Sequence, residues 1–105
     1  MYFGHERLDV YQLALGVARW AAQQAIPPAR KHLRDQLFRA VDSVVLNIAE
    51  GAGLPPGDGQ RNHFRIAGAS AAEVSAILDL LTPPEYAERQ VELRRVGAML
   101  ARMVR

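Results

Sequence analysis

Hydrophobic side chains recur along most of the chain at the spacing of amphipathic α-helices. Clusters of proline and glycine interrupt this pattern and divide it into four segments. Helices are predicted over about residues 8–25, 30–49, 59–81 and 83–103, and no segment shows the alternation typical of a strand. Because the connections are short, we expect an all-α, antiparallel up-down-up-down four-helix bundle that occupies residues 1–105 as a single domain.

The second, third and fourth predicted helices each carry one apolar stripe, as expected of a bundle helix that buries a single face. The stripe of helix 2 contains Leu33, Leu37, Ala40, Val41, Val44 and Ile48. The stripe of helix 3 contains Phe64, Ala67, Ala71, Val74, Leu78 and Leu81, and that of helix 4 contains Tyr86, Leu93, Val96, Leu100 and Met103. These stripes are predicted to form the core.

Helix 1 differs because it carries two apolar stripes on nearly opposite sides. One stripe contains Leu8, Tyr11, Leu15, Ala18 and Ala22. The other stripe contains Val10, Leu13, Val17 and Trp20. A helix of a monomeric bundle needs only one, so the second stripe is predicted to be an oligomer interface with Trp20 as its anchor. The alternative is that helix 1 lies deep in an irregular core and that both stripes are internal.

Two helix starts carry residues that are typical of caps. Asp58 precedes the third helix and is predicted to cap the free amides of its first turn. Thr82 is followed by two prolines and, three residues on, by Glu85, which is close to a capping box. Thr82 is therefore predicted to cap the fourth helix.

Composition indicates a globular protein. Half of the 105 residues are hydrophobic, 23% are charged and none is cysteine, which excludes disulfides and thiolate metal ligands. The first residues lack the pattern of a signal peptide, and no segment is apolar enough to span a membrane. A soluble cytoplasmic protein without a membrane partner is therefore expected.

The sequence contains no recognisable motif for catalysis or for a cofactor. Di-iron bundles need Glu-x-x-His pairs, but here no glutamate is followed three residues later by a histidine, and His5, His32 and His63 are isolated. The glycines at 51–59 are not followed by the Gly-Lys-Ser/Thr of a phosphate loop. A Ser-His-Asp set or a nucleophile elbow is also not apparent. We therefore expect no enzymatic activity, no metal and no cofactor.

A polar ridge runs beside the core stripe of helix 2. It contains Gln36, Arg39, Ser43, Asn47 and Glu50. Asn47 lies closest to the apolar face and is expected to hydrogen-bond across to helix 1 or helix 3. Glu50 stands at the helix end where the dipole disfavours a negative charge, which indicates a partner such as Arg39 or the amides that open helix 3. A structural role is expected for this ridge.

The predicted topology collects basic side chains at one end of the bundle, where helices 1 and 3 begin and helices 2 and 4 finish. The candidate nucleic-acid-binding residues of this basic end and of the adjoining face of helix 4 are Arg7, Arg61, Arg65, Arg95, Arg102 and Arg105. Arginine suits phosphate, and an oligomeric ring would repeat the charge of this end. A coding bias is the simpler explanation for twelve arginines beside one lysine, and the net charge is only +2. Arg102 and Arg105 at the C-terminal end of helix 4 can also simply complement the helix dipole. That explanation does not account for Arg61 and Arg65, which lie at a helix start.

Four short motifs are distributed over the first three predicted helices. They are Leu-Asp-Val-Tyr-Gln at 8–12, Leu-Arg-Asp-Gln at 33–36 and Asn-Ile-Ala-Glu-Gly at 47–51, together with residues 66–73, which are similar to an Ile-Ala-x-Gly-Ser-x-x-Glu element with Ala69 in place of the glycine. These motifs resemble those of the 23S rRNA intervening-sequence proteins, a family related to the accessory variability determinant proteins of diversity-generating retroelements. The motif at 47–51 is the most specific part of the resemblance.

The resemblance implies an antiparallel four-helix bundle that forms a homopentameric ring and has no established enzymatic activity. Through the retroelement relatives it also implies RNA or DNA and a reverse transcriptase as partners. The structural polar network that it suggests consists of Arg39, Ser43, Asn47, Glu50, Ser70 and Glu73. We therefore hypothesise a non-enzymatic ring that binds RNA or DNA weakly through the basic end. The alternative is a scaffold that docks a partner protein without nucleic acid.

Overall fold

The computed structural model describes residues 3–105, except for the side chain of Arg7. Most of these residues lie in four α-helices. The helices are α1 (Asp9–Ala22), α2 (Lys31–Ala52), α3 (Asp58–Leu81) and α4 (Tyr86–Met103). Short 3-10 turns precede α1 and α2, at Gly4–Arg7 and Pro28–Arg30. The described residues contain no strand, so the predicted all-α class is confirmed. None of their helices is long and apolar enough to cross a membrane.

Helices that follow one another in the chain pack side by side in opposite directions. Ser43 of α2 bonds to Ser70 of α3, and seven residues further along α2, Glu50 meets His63, seven residues earlier on α3. Ser75 and Asp79 of α3 bond to Gln90 and Tyr86 of α4, respectively, so these two helices are also antiparallel. The remaining contacts place α1 beside both α2 and α4. The predicted four-helix bundle is therefore confirmed, and α2, α3 and α4 alternate in direction.

The prolines and glycines separate the helices as predicted, although α1 stops at Ala22 rather than near residue 25. Gln24 contributes to this earlier stop, because its Nε2 donates to the carbonyl oxygen of Trp20 at 3.0 Å. That oxygen belongs to the last turn, whose carbonyls have no partner within the helix. The connection to α2 then contains Pro27 and Pro28, which are unsuited to a helix interior.

Both predicted N-caps are wrong. Asp58 lies inside the first turn of α3 rather than before it, and its carboxylate pairs with Arg61. Thr82 instead ends α3 in the left-handed conformation, with φ at 42°, and α4 begins only at Tyr86. A residue before proline is disfavoured in the α region, so Thr82 and Pro83 do not open the next helix.

The core is one cluster of apolar side chains between the four helices. All predicted core residues of α2 are buried. The predicted core residues of α3 and α4 are also buried, except Leu81, Tyr86 and Met103, which are partly buried against the cluster. The helical period of the apolar residues therefore identified the inner faces of these three helices.

On α1, the stripe that was predicted to be an exposed interface belongs to the core. Val10, Val17 and Trp20 expose only 3%, 2% and 8% of their surface, and Leu13 packs partly buried against the same cluster. The guanidinium group of Arg89 on α4 lies 5.6 Å from the centre of the Trp20 ring and helps to cover it. The prediction that these four residues form an oligomer interface is therefore wrong.

The other apolar stripe of α1 lies at the edge of the core. Leu8, Tyr11, Leu15 and Ala18 are partly buried, and Ala22 is exposed. The buried residues Ala14 and Ala21 complete the inner face instead. The alternative in which both stripes are internal is therefore correct for the stripe with Trp20, whereas the stripe with Leu15 and Ala18 reaches the surface.

A hydrogen-bonded seam that the sequence pattern does not reveal joins α3 to α4. Gln90 exposes only 4% of its surface. Its Nε2 donates to the Ser75 carbonyl oxygen at 2.9 Å and to Asp79 Oδ1 at 3.1 Å, and its Oε1 accepts from Ser75 Oγ at 2.6 Å. The Tyr86 hydroxyl also donates to Asp79, and this bond raises the pKa of Tyr86. Because buried polar atoms need partners, these bonds fix the register of α4 on α3.

Candidate functional site

The predicted polar network lies where α2 packs against α3. The hydroxyl oxygens of Ser43 and Ser70 are 2.7 Å apart. Asn47 Nδ2 donates to the carbonyl oxygen of Ser43 at 2.9 Å and to its hydroxyl oxygen at 3.2 Å. Asn47 Oδ1 lies 2.9 Å from Nδ1 of His63 on α3. Ser43, Asn47 and Ser70 therefore belong to one continuous set of bonds that joins the two helices.

His63 is the member of this set that the sequence did not reveal. Its Nδ1 also lies 3.3 Å from Glu50 Oε2, so Glu50 finds its partner in His63 and not in Arg39. Two acceptors face the same ring nitrogen, which favours a proton on Nδ1. Arg39 and Glu73 are exposed and make no hydrogen bond or ion pair with another described residue, so the predicted network does not extend to them.

The two most distinctive motifs have a structural explanation. Asn47 and Glu50 of the first motif contact His63, and Gly51 is buried against Phe64. A Cβ at Gly51 would lie only 2.6 Å from Phe64 Cε1. Ala69, at the glycine position of the second motif, is exposed, so its methyl group meets no close backbone. Both motifs thus serve the contact between α2 and α3.

The polar set between α2 and α3 fits a structural role better than a chemical one. Its members bond to each other or to backbone. No group of three histidine, cysteine, aspartate or glutamate side chains in residues 3–105 is arranged to hold a metal ion. Four of the other predicted site residues, Arg65, Arg95, Arg102 and Arg105, lie on the outside of the bundle.

Four of the predicted nucleic-acid-binding arginines have no carboxylate partner. Arg65, Arg95, Arg102 and Arg105 are exposed and make no ion pair within the described part of the chain; we call them the free arginines. Arg65 lies near the start of α3, and Arg102 and Arg105 lie where α4 finishes, so these three share one end of the bundle. Arg95 stands roughly 10 Å before Arg102 along the axis of α4 and extends the basic surface along the side.

Arg61 is at the same end but is paired. Its Nη2 donates to Asp58 Oδ1, and this bond holds the pKa of the Asp58 carboxyl below its usual value. Asp58 therefore stays ionised and balances the charge of Arg61. The pair explains how a basic residue is accommodated near a helix start, because Asp58 places a negative charge in the first turn. The side chain of the remaining candidate, Arg7, lies outside the described residues.

Several basic side chains at the opposite end are engaged within the chain. Arg30 Nη2 donates to a backbone carbonyl oxygen of α3 at 3.1 Å. Lys31 Nζ bonds to Asp35 Oδ2 at 2.7 Å. Arg89 forms ion pairs with Glu85 and Glu92, and its guanidinium group also covers the Trp20 ring. These three side chains have partners within the chain, whereas Arg34 at this end, like the free arginines, is exposed and makes no ion pair among the described residues.

Exposed apolar side chains are found on both pairs of neighbouring helices. A groove between α1 and α2, which we call the α1–α2 groove, is lined by Leu15, Ala18, Arg19, Ala22, Asp42, Val45 and Leu46. Leu46 has 58% of its surface exposed there. On the other two helices, Leu80 of α3 and Val91 of α4 are exposed to 60% and 54%, and we call these two side chains the α3–α4 face. Large exposed apolar side chains are available to a protein partner.

Comparison with known proteins identifies a family. No curated protein and no solved structure matches the chain significantly. The family model described as 23S rRNA-intervening sequence protein matches residues 6–103, which is nearly the whole chain and includes all four helices. The chain therefore belongs to the 23S rRNA-intervening sequence protein family.

Proposed function

We propose that this chain is a non-enzymatic, self-associating bundle that binds RNA or DNA weakly through the free arginines. Eight arginines of the described residues are exposed and make no ion pair, and the free arginines are four of these eight. The observation that best supports the proposal is that three of the free arginines, Arg65, Arg102 and Arg105, lie at one end of the bundle. Guanidinium groups bind phosphate oxygens well, and such contacts do not depend on base sequence.

Binding by the free arginines is expected to weaken steeply as salt is raised. If each chain contacts three phosphates, the affinity falls about 20- to 40-fold between 50 mM and 200 mM salt, because phosphate contacts release condensed counterions. The measurement is fluorescence anisotropy of a short labelled strand, titrated with the protein across a salt series.

The control for this titration is an arginine of equal charge that lies elsewhere. Arg102→Ala is expected to lower the affinity and to reduce the slope of log K against log salt by roughly 0.7–0.9. Arg39→Ala removes the same charge from an exposed site on α2 and is expected to leave the slope unchanged. The proposal is contradicted if the wild type does not bind at low salt, or if both variants lose affinity equally.

The self-association part of the proposal rests on the two exposed apolar surfaces. A ring needs two different surfaces on each copy, because each copy binds the next head to tail. The α1–α2 groove and the α3–α4 face can serve as these two surfaces. Arg19 and Asp42 at the groove have no ion-pair partner among the described residues, so a second copy can pair them. We therefore propose that the groove of one copy receives the α3–α4 face of the next.

Light scattering of paired variants tests this arrangement. Leu46→Asp and Leu80→Asp are each expected to reduce the mass to that of one chain, because each places a carboxylate in an apolar contact. Each variant retains one intact surface, so an equimolar mixture is expected to form a dimer. Leu54→Asp changes a leucine that is 40% exposed in the α2–α3 connection and should keep the mass of the wild type.

The alternative outcomes of light scattering point to different assemblies. A monomeric wild type contradicts self-association. Dissociation by Leu46→Asp alone, with Leu80→Asp unaffected, indicates a two-fold dimer through the groove rather than a ring.

A scaffold that docks a partner protein without nucleic acid is the second candidate function. It is favoured by the apolar exposure of Ile66, Leu80 and Val91 along α3 and α4. A monomeric wild type that binds no strand at low salt would favour this candidate, because both apolar surfaces would then remain for another protein.

A further inference from the structure

Three aromatic side chains form a row at the end of the bundle where α1 begins. The rings of Phe3 and His5 are nearly parallel, with 11° between their planes and 6.0 Å between their centres. The centre of the His5 ring lies 4.6 Å from that of Tyr11, at an interplanar angle of 58°. We call Phe3, His5 and Tyr11 the aromatic row.

The turn at Gly4–Arg7 holds the aromatic row in place. The Glu6 amide donates to the Phe3 carbonyl oxygen at 3.1 Å, and Gln12 Nε2 of α1 donates to the Glu6 carbonyl oxygen at 3.3 Å. On the other side, Gly4 packs against the last turn of α2. A Cβ at Gly4 would lie 2.9 Å from the carbonyl oxygen of Ala52, so a side chain there would displace the turn.

The two ends of the aromatic row differ in burial. Tyr11 packs partly buried against the core and anchors the row. Phe3 exposes 69% of its surface, more than any other exposed large hydrophobic side chain of the described residues. Its ring contributes little to folding and is available to an external ligand.

The aromatic row and three of the free arginines lie at the same end of the bundle. Arg102 lines an open groove together with Leu8 and Asp9, the two residues that directly follow the turn. An unpaired strand presents bases that stack on aromatic rings and phosphates that bind arginine. A duplex keeps its bases stacked on each other, so only its backbone could use this end.

We propose that the aromatic row is a stacking platform for unpaired nucleobases, which makes single-stranded RNA or DNA the ligand of this end. This inference rests on the proposed function, because the free arginines supply the phosphate contacts. Phe3 supplies the outermost ring and is the residue whose loss is expected to matter most.

The test uses three strands of equal length: oligothymidylate, oligouridylate and an abasic strand that keeps the phosphates but has no bases. The wild type is expected to bind a base-containing strand more tightly than the abasic one. Phe3→Ala is expected to weaken binding of the base-containing strands between about 5-fold and 150-fold, and to leave abasic binding unchanged. Phe3→Trp should restore the preference. Leu54→Ala, which removes exposed apolar surface without removing a ring, should have no effect.

The outcomes separate this inference from the proposed function. If the wild type binds the base-containing and abasic strands equally, the phosphate contacts stand and the stacking platform is overturned. If it binds no strand at low salt, both proposals are overturned. Circular dichroism of Phe3→Ala checks that the fold is retained. The ratio of oligouridylate to oligothymidylate affinity shows whether RNA or DNA is the preferred source of the bases.

Discussion

Replacing Trp20 with alanine is expected to lower the free energy of unfolding by about 3–5 kcal/mol, as is typical when a buried aromatic side chain is removed. Trp20 exposes only 8% of its surface, and Arg89 covers its ring. The variant loses the apolar contacts and leaves Arg89 beside a cavity. Urea or guanidinium unfolding, followed by circular dichroism, measures the loss.

The control for Trp20→Ala is Leu54→Ala, which shortens a side chain that is 40% exposed. Exposed substitutions of this kind usually change stability by no more than about 0.5 kcal/mol. A Trp20→Ala protein that keeps wild-type stability but dissociates from an oligomer would contradict the core assignment. That result would restore Trp20 to the interface that the sequence pattern predicted.

Gly51→Ala is expected to destabilise the bundle by about 1–3 kcal/mol, the usual cost of overpacking a core. The added Cβ would lie 2.6 Å from Cε1 and 2.9 Å from Cδ1 of Phe64. Phe64 is itself buried, with 3% of its surface exposed, so displacing its ring disturbs the packing of the core. Thermal or urea unfolding measures the effect.

Gly68→Ala is the matched control because Gly68 also lies inside a helix and has no atom within 4 Å of its added Cβ. This control is expected to stabilise the protein by up to about 1 kcal/mol, since alanine favours helix. Equal effects at both positions would contradict the steric explanation. Combining Gly51→Ala with Phe64→Leu should recover part of the loss, because the shorter side chain removes the ring atoms that clash.

The helix number and three of the four inner faces were predictable from sequence, but the inner face of α1 was not. Both stripes of α1 are apolar, so their period could not decide which one is buried. The residues that complete the true inner face, Ala14 and Ala21, are small and add little hydrophobic signal. The helix starts were also predicted poorly at Asp58 and Thr82, because cap geometry depends on backbone angles that neighbouring prolines and glycines set.

The polar contact between α2 and α3 was partly predictable. Serine and asparagine beside an apolar stripe indicate bonds across a helix pair, and Ser43, Asn47 and Ser70 do make them. The partner of Glu50 required the register of the two helices. Counting in opposite directions from the Ser43–Ser70 pair places His63 opposite Glu50, so a single known contact would have revealed it.

Which arginines pair with a carboxylate could not be predicted from sequence. Asp58 precedes Arg61 by three residues, a spacing that allows an ion pair without requiring one, whereas Arg65 follows Asp58 by seven residues; the structure shows that Arg61 takes the carboxylate. The aromatic row was missed for a similar reason. Phe3, His5 and Tyr11 have no periodic relation in sequence, and the turn at Gly4–Arg7 brings them together.

Side-chain hydrogen bonds are distributed unevenly among the four helices. They join α3 to α2 and α4 to α3, whereas in residues 3–105 no such bond joins α1 to another helix. The position of α1 rests instead on its buried apolar side chains and on the contact of Arg89 with Trp20. Gln12 ties the turn at Gly4–Arg7 to α1, so the positions of Phe3 and His5 depend on how well α1 packs. Loosening the core beneath α1 would therefore disturb the outermost rings before it disturbed the contacts among α2, α3 and α4.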